Sequence, residues 1–259
     1  MTWTQIPETV DHEHRLGRHI HRPEGFYDRV SPEGEIRTVS WRRHVAPYDQ
    51  GDLGSCTGNA AAGALMTDPL WLPGRFFQEQ QAVEFYSDAT HFNENGEVYP
   101  PNDDGSSGPA VAEALERLQL VSNYGHATNL QDALKGLSTG PGIFGVNWYT
   151  SFDSPLDTGE CALDPAATVR GGHEVQAFAV NTKKQRVWFY QSWGPKWGGL
   201  NDGTFWFSYD TLNTLFEQGA DATFFVGTKN VNPVVATQFT GSKKSWFSKL
   251  IQGLRSIEI

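Results

Sequence analysis

The sequence predicts an α+β protein in which a helical lobe is followed by a β-rich lobe, with a cleft between the two. Two observations carry this prediction. Residues 56–120 contain apolar residues at helical spacing, whereas residues 142–227 contain short β-branched and aromatic segments separated by turn residues. Helices that precede strands, rather than alternate with them, favour separate helical and sheet regions.

Three segments are predicted as helices. Residues 56–66 are rich in alanine and end before Pro69, which cannot continue a helix. Residues 76–91 and 109–120 also have helical spacing, and Pro109 suits the first turn of the third helix. The predicted strands are residues 142–149, 173–180, 187–193, 203–209 and 222–227.

The N-terminal segment differs from the globular domain, which we place at residues 39–228. Residues 1–38 hold four of the eight histidines, with little apolar periodicity, and we interpret them as an arm lying on the domain. Their His-x-His pairs have a spacing that suits a metal, but no Cys or acidic partner stands at a ligand spacing. We therefore expect a solvated or salt-bridged arm and no metal site.

The C-terminal segment, residues 229–259, is predicted to be a linker followed by a basic amphipathic helix. At 100° per residue the apolar side chains of residues 243–257 fall on one face, and the segment 229–259 has five basic residues and one acidic. Such a helix can dock on its own acidic domain, on another protein or on an anionic membrane surface. The sequence leaves these three alternatives open.

Composition excludes several classes of protein. With 38% hydrophobic and 13% aromatic residues the chain can bury a core, so disorder throughout is excluded. The net charge of −10 argues against nucleic acid as a partner. The start of the chain is too polar for a signal peptide, and no apolar run reaches the roughly 20 residues that span a bilayer, so we expect a soluble protein that is not secreted.

The two cysteines are Cys56 and Cys161. A disulfide framework and a four-sulfur zinc site are excluded, a single bridge is left open, and so few cysteines are typical of a reducing compartment. Cys56 is the candidate nucleophile, because it follows a glycine-punctuated loop and opens the first predicted helix. The helix dipole and the unsatisfied N–H groups of the first turn stabilise the thiolate and lower its pKa.

His173 is the candidate proton partner of that thiol. It stands at the start of its predicted strand, and Gln191 stands near the end of the next one, beyond a turn at residues 181–185. In an antiparallel hairpin centred on this turn, residue 191 faces residue 173 to within one position. A carboxamide in that place fixes the tautomer and the ring plane of an imidazole.

These residues lie in three sequence blocks that resemble the papain family of cysteine peptidases. The blocks, in the family's order, are Gln50-Gly51-x-Leu53-Gly54-Ser55-Cys56, Gly172-His173 and Ser192-Trp193-Gly194-x-x-Trp197-Gly198. The LGSCT form, the segment Tyr99–Gly108 and the lack of disulfides look most like bacterial and bacteriophage members. The resemblance implies a two-lobed α+β fold with a helical left lobe, an antiparallel β-barrel-like right lobe and the active-site cleft between them. It also implies a cytoplasmic location, in a bacterium or a phage-infected cell, or association with a virion.

The resemblance further implies the roles of the catalytic residues. Cys56 is the nucleophile, His173 the general base and acid, and Gln191 takes the place of the family's orienting Asn. The side chain of Gln50 and the backbone N–H of Cys56 form the oxyanion hole. Leu53 stands where the family usually has a half-cystine.

The resemblance also assigns the residues that contact substrate. Trp193 shields the imidazole–carboxamide hydrogen bond from water, and Trp197 forms a wall on the leaving-group side. Gly105 and Ser106 stand where the family pairs its backbone with an extended polypeptide substrate.

A cysteine endopeptidase that forms an acyl-enzyme and needs no cofactor is the predicted function. Two alternatives stay open: a hydrolase of cell-wall peptides or isopeptides with the same Cys–His pair, and a catalytically weak papain-like binding or virion module. The second alternative rests on Gln191, whose side chain is one methylene longer than Asn. The strand or the ring must shift to restore a hydrogen bond of about 2.9 Å.

Overall fold

The structure is a computed structural model that describes residues 16–17, 34–93 and 97–227. It contains helices and strands in a mixed order. They are β1 (Val39–Ser40), α1 (Cys56–Leu65), α2 (Glu79–Thr90), α3 (Gly108–Arg117), β2 (Val121–Ala127), α4 (Leu130–Leu137), β3 (Gly142–Tyr149), β4 (Val169–Asn181), β5 (Arg186–Tyr190), β6 (Thr204–Ser208), α5 (Tyr209–Glu217) and β7 (Asp221–Gly227). A short 3₁₀ turn at Thr150–Phe152 follows β3.

Two predictions concern segments that the structure does not describe. The histidine pairs of the arm and the predicted amphipathic helix at residues 243–257 lie outside the described residues. Among the helices that are described, none has both the length and the apolar character to cross a bilayer.

The three predicted helices are present as α1, α2 and α3, each within three residues of its predicted bounds. Helix α1 begins at Cys56, as predicted. Helix α3 has Pro109 in its first turn, and the side chain of its N-cap residue Ser107 accepts a hydrogen bond from the Ala110 backbone N–H. The five predicted strands correspond to β3, β4, β5, β6 and β7.

Four elements were not predicted: β1, β2, α4 and α5. Strand β2 contains Asn123 and Gly125, residue types that are depleted in strands. Helices α4 and α5 have only eight and nine residues, too short for a clear periodic signal. Their N-caps, Asn129 and Ser208, each accept a hydrogen bond from a first-turn N–H and are the local signals that mark them.

The strands form one sheet in which every neighbouring pair is antiparallel. The order is β2-β7-β3-β4-β5-β6, and β1 pairs with β4. Strand β4 is the longest, with thirteen residues, and it has β3, β5 and β1 as neighbours. The backbone of β4 is therefore fixed by hydrogen bonds to more neighbouring strands than the backbone of an edge strand.

The sequence predicted His173 at the start of a strand, but the residue lies inside β4. The strand begins four residues earlier, at Val169, because both glycines before His173 pair with β3. His173 itself pairs with Val146 of β3. The backbone that carries the imidazole is thus fixed within the sheet.

Two apolar clusters correspond to the two lobes. The helical cluster, between α1, α2, α3 and the sheet, includes Leu65, Phe85, Leu115, Ile143 and Phe225. The cluster of the sheet lobe includes Phe144, Trp148, Phe189, Phe205 and Phe207. Helix α1 is buried along its whole length and packs against both α2 and β4. The predicted α+β two-lobed fold is confirmed, and α1 connects the two lobes.

Gly58 allows α1 and α2 to approach closely. A Cβ atom at this position would lie 2.1 Å from the Ala82 carbonyl oxygen and 2.7 Å from the Tyr86 backbone nitrogen. We expect Gly58→Ala to lower the free energy of unfolding by about 3 kcal/mol, because backbone atoms of α2 must move. Urea denaturation measures this change.

The matched control is Gly140→Ala, where the added Cβ would make an ordinary contact at 3.6 Å from Pro69. We expect a change within about 0.5 kcal/mol for this variant. Equal losses for the two variants would contradict the packing argument.

Candidate active site

Cys56 is the first residue of α1, and its side chain is buried. The N-cap residue Ser55 makes no side-chain capping bond, so no hydroxyl oxygen satisfies the first-turn N–H groups that point toward this end of the helix. Cys56 and Cys161 are both free thiols, which settles the open question of a bridge between them. The helix therefore presents its positive end to a reduced sulfur, as the sequence predicted.

The imidazole of His173 is bonded to the carboxamide of Gln191. The Nε2 atom of His173 lies 2.5 Å from Oε1 of Gln191, and this oxygen also accepts from the Ser192 backbone N–H at 2.8 Å. Because a carbonyl oxygen only accepts, Nε2 must carry the proton. In the neutral ring Nδ1 is then the basic nitrogen, which is the tautomer that a general base needs.

Gln191 reaches His173 from a different register than the hairpin argument predicted. Strand β5 ends at Tyr190, which pairs with Gln176. Gln191, the residue after the strand, therefore lies opposite Val175. A register shift between Ala177 and Ala179 reduces the offset from His173 from three positions to two. Because side chains alternate with a period of two, the offset keeps Gln191 on the face that carries His173.

Indole rings surround the imidazole. Trp193 stacks on His173 with ring centroids 5.0 Å apart, and Trp148 meets the ring edge-on at the same centroid distance. Trp197 packs against Trp193 at 5.3 Å. His173 and Gln191 are almost fully buried, so their hydrogen bond is protected from water. Trp148 was not singled out in the sequence, although it lies in a strand that was predicted.

Gln50 ties the loop before Cys56 to the segment after Gln191. Its Nε2 donates to the Leu53 carbonyl at 2.7 Å, and its Oε1 accepts from the Ser192 hydroxyl at 2.5 Å. The Gln50 backbone N–H donates to the Ser192 carbonyl at 2.9 Å. These contacts orient the Gln50 carboxamide beside the helix terminus, with one of its two N–H bonds directed at Leu53.

Asp103, in the segment before α3, anchors the same loop from the side of the helical lobe. It was not identified from the sequence. Both of its carboxylate oxygens lie 3.1 Å from the Gly54 backbone nitrogen, and Oδ1 also accepts from the Tyr86 hydroxyl at 2.7 Å. Burial raises the pKa of Tyr86, and the charges of Asp103 and Cys56 add to this shift. The phenol therefore stays protonated and donates to the carboxylate.

Tyr86 also holds the wall that contains Gly105 and Ser106. Its hydroxyl oxygen accepts from the Gly105 backbone N–H at 3.0 Å, and Asn93 donates to the Gly105 carbonyl at 2.9 Å. The Ser106 backbone N–H donates to the carbonyl of Gly17, in the arm, at 2.8 Å. The backbone predicted to pair with a substrate thus pairs with the protein's own N-terminal arm.

Comparison with known proteins identifies the fold. No protein-family model matches the chain, and no curated protein matches it by sequence. Xylellain, a cysteine protease from Xylella fastidiosa, has a similar structure with a TM-score of 0.63 at 18% identity, over 83% of this chain and 96% of that chain. A cysteine protease from Carica candamarcensis, solved with E-64, gives 0.50 at 13% identity, over 74% of this chain and 99% of that one.

A third similar structure is digestive procathepsin L 3 from the larval midgut of Tenebrio molitor. Its TM-score is 0.51 at 14% identity, over 78% of this chain and 74% of that chain. The chain therefore has the fold of the papain-like cysteine proteases.

The carboxylate of Asp103 gives a direct test of how the loop before Cys56 is held. We expect Asp103→Asn to lower the free energy of unfolding by about 1–2 kcal/mol, because charged hydrogen bonds to Gly54 and Tyr86 are weakened. Amide hydrogen exchange at Gly54 is expected to become about tenfold faster. The control is Asp104→Asn at the neighbouring, exposed carboxylate. If both variants change Gly54 exchange equally, the anchoring role is wrong.

Proposed function

We propose that the chain is a cysteine-type endopeptidase that hydrolyses peptide bonds through Cys56 and His173. The observation that carries the proposal is the buried hydrogen bond from His173 Nε2 to Gln191 Oε1, which leaves Nδ1 as the basic nitrogen. The strand with this imidazole packs against the helix that Cys56 begins. A polarised imidazole and a thiol at a helix N-terminus are the two parts of a thiol nucleophile.

In the proposed reaction, the Cys56 thiol transfers its proton to His173 Nδ1 and the thiolate attacks the substrate carbonyl carbon. The C–S bond forms as the carbonyl π electrons move to oxygen. The backbone N–H of Cys56 and an Nε2–H of Gln50 stabilise this oxyanion, and each such donor contributes about 3–4 kcal/mol. His173 then protonates the leaving amine as the C–N bond breaks, and an acyl-enzyme remains.

Deacylation uses the same groups in reverse. His173 Nδ1 takes a proton from water, the hydroxide oxygen attacks the thioester carbon, and the C–S bond breaks. The carboxylic acid leaves, and the Cys56 sulfur recovers its proton from the imidazolium. Throughout the cycle Gln191 keeps the ring in one orientation, because its oxygen accepts from Nε2 in both the neutral and the charged form.

Gln191 suits this role despite its additional methylene. At 2.5 Å its oxygen is within hydrogen-bond range of Nε2, and a second bond from the Ser192 N–H fixes the direction of that oxygen. In the proposal Trp193 excludes water from this bond, and the partly buried Trp197 forms the wall beside the leaving group. The hydrogen bond that Gln191 keeps to His173 therefore favours a working site over a silent module.

The two cysteines allow a matched test of the nucleophile. We expect Cys56→Ala to lower hydrolysis of denatured casein by about 10³-fold or more, since the nucleophile is lost. Cys161→Ala is expected to keep the activity within about threefold. Burial raises the pKa of the Cys161 thiol well above its ordinary value, and the carboxylates of Asp153 and Glu160 add to the shift, so this thiol stays protonated.

Thermal unfolding of both variants controls for folding. Cleavage of casein by Cys56→Ala would contradict the assignment of the nucleophile. Peptidoglycan is assayed beside casein, and selective release of cell-wall peptides would replace the endopeptidase with a cell-wall peptide hydrolase.

The pH dependence of alkylation tests the thiolate–imidazolium pair. In Cys161→Ala the rate of Cys56 alkylation by iodoacetamide is expected to have its midpoint below pH 7, against about 8.5 for an ordinary thiol. Gln191→Ala is expected to move the midpoint upward by about one unit, because a misoriented imidazolium stabilises the thiolate less. Gln218→Ala, at the C-cap of α5, is the carboxamide control. A midpoint near 8.5 in the parent protein would favour the silent module.

A further inference from the structure

Gly17 of the arm lies in the cleft, between the loop before Cys56 and the wall at Gly105. The Gly17 carbonyl accepts from the Ser106 backbone N–H at 2.8 Å, in the manner of an added strand. Leu16 is buried and belongs to the apolar cluster of the sheet lobe. A peptide segment thus occupies the cleft with its backbone bonded to one wall and an apolar side chain buried beside it.

Gly17 lies in a narrow passage between the backbones of Gly54 and Gly105, which has no room for a side chain at this position. A Cβ atom on Gly17 would lie 2.0 Å from the Gly54 carbonyl oxygen and 2.3 Å from its carbonyl carbon. From the other side, a Cβ atom on Gly105 would lie 1.8 Å from the Gly17 carbonyl oxygen. Gly105 also has φ of +83°, a conformation that suits glycine. Backbone atoms form both walls, so no side chain can rotate away to make room.

The two walls are fixed by the hydrogen bonds described above. Asp103 holds the Gly54 N–H, and Tyr86 holds the Gly105 N–H. Because the Tyr86 hydroxyl also donates to Asp103, both walls are bonded to one pair, in which Tyr86 is buried and Asp103 is partly buried. Widening the passage for a larger residue would break charged hydrogen bonds, which are stronger than neutral ones.

We infer that this passage selects glycine, so that the substrates of the proposed peptidase carry a glycine, preceded by a large apolar residue, where the chain passes between Gly54 and Gly105. The inference rests on the proposed function and narrows its substrate class. The arm supplies the observed example, since its Leu16–Gly17 sequence has this pattern. The arm and a substrate compete for the same passage.

The first experiment uses two synthetic peptides that span residues 12–22 and differ only by glycine or alanine at the position of Gly17. The receptor is the full chain with Gly17→Ala and Cys161→Ala, whose own arm no longer fits the passage. The readout is protection of Cys56 from iodoacetamide. We expect the glycine peptide to protect at a concentration at least about tenfold lower than the alanine peptide, because the added methyl group meets rigid backbone.

The same experiment compares the receptors. In the Cys161→Ala background, Gly17→Ala is expected to raise the rate of Cys56 alkylation about fivefold or more. The tethered arm has a high effective concentration at the passage and shields Cys56, and the substitution prevents the arm from binding there. Gly140→Ala adds the same methyl group away from the cleft and is expected to leave the rate unchanged. Equal protection by both peptides, or equal alkylation of the two receptors, would overturn the inference.

A cleavage profile of the full chain on a peptide library separates this inference from the proposed function and needs no variant of the arm. Enrichment of glycine after a large apolar residue at a fixed distance from the cleaved bond supports selection by the passage. Efficient cleavage with no preference for glycine overturns the selectivity and leaves the peptidase. Glycine-selective protection of Cys56 with no cleavage of any peptide overturns the peptidase and leaves the selectivity.

Discussion

The hydrogen bond between His173 and Gln191 is the interaction on which the chemistry of the site depends. It determines which ring nitrogen is basic, and it exists because β4 and β5 bring the two side chains to one face of the sheet. Trp193 and Trp148 cover the ring, so the bond does not compete with water. The long pairing of β4 and the aromatic packing of the sheet lobe thus both serve the orientation of one imidazole.

The helical lobe supplies the other half of the site, and the loop before α1 connects the halves. Gln50 bonds to Ser192 on the sheet side, while Gly54 bonds to Asp103 on the helical side. A short loop held from both sides has little freedom to shift the start of the helix. The position of Cys56 relative to β4 is therefore a property of several hydrogen bonds and not of the loop's own conformation.

Much of this arrangement could be predicted from the sequence, because the signals are local. The Ala-rich helix after a glycine loop located Cys56, and the turn between two aromatic strands predicted that Gln191 and His173 are neighbours, although the observed register differs by two positions. Asp103 and Tyr86 could not be found in this way, since their partners, Gly54 and Gly105, become neighbours only through the packing of the lobes. Trp148 was likewise ambiguous, as an aromatic residue in a strand is most often part of a core.

The anchor formed by Asp103 has a consequence for the chemical surroundings that the site tolerates. A nucleophilic thiol must be kept reduced, and reductants that protect it also open disulfides. Here the loop beside Cys56 is fastened by a carboxylate and a backbone amide, and both cysteines of the chain are free thiols. Reductants that keep the proposed nucleophile in its thiol form therefore leave the scaffold around it intact.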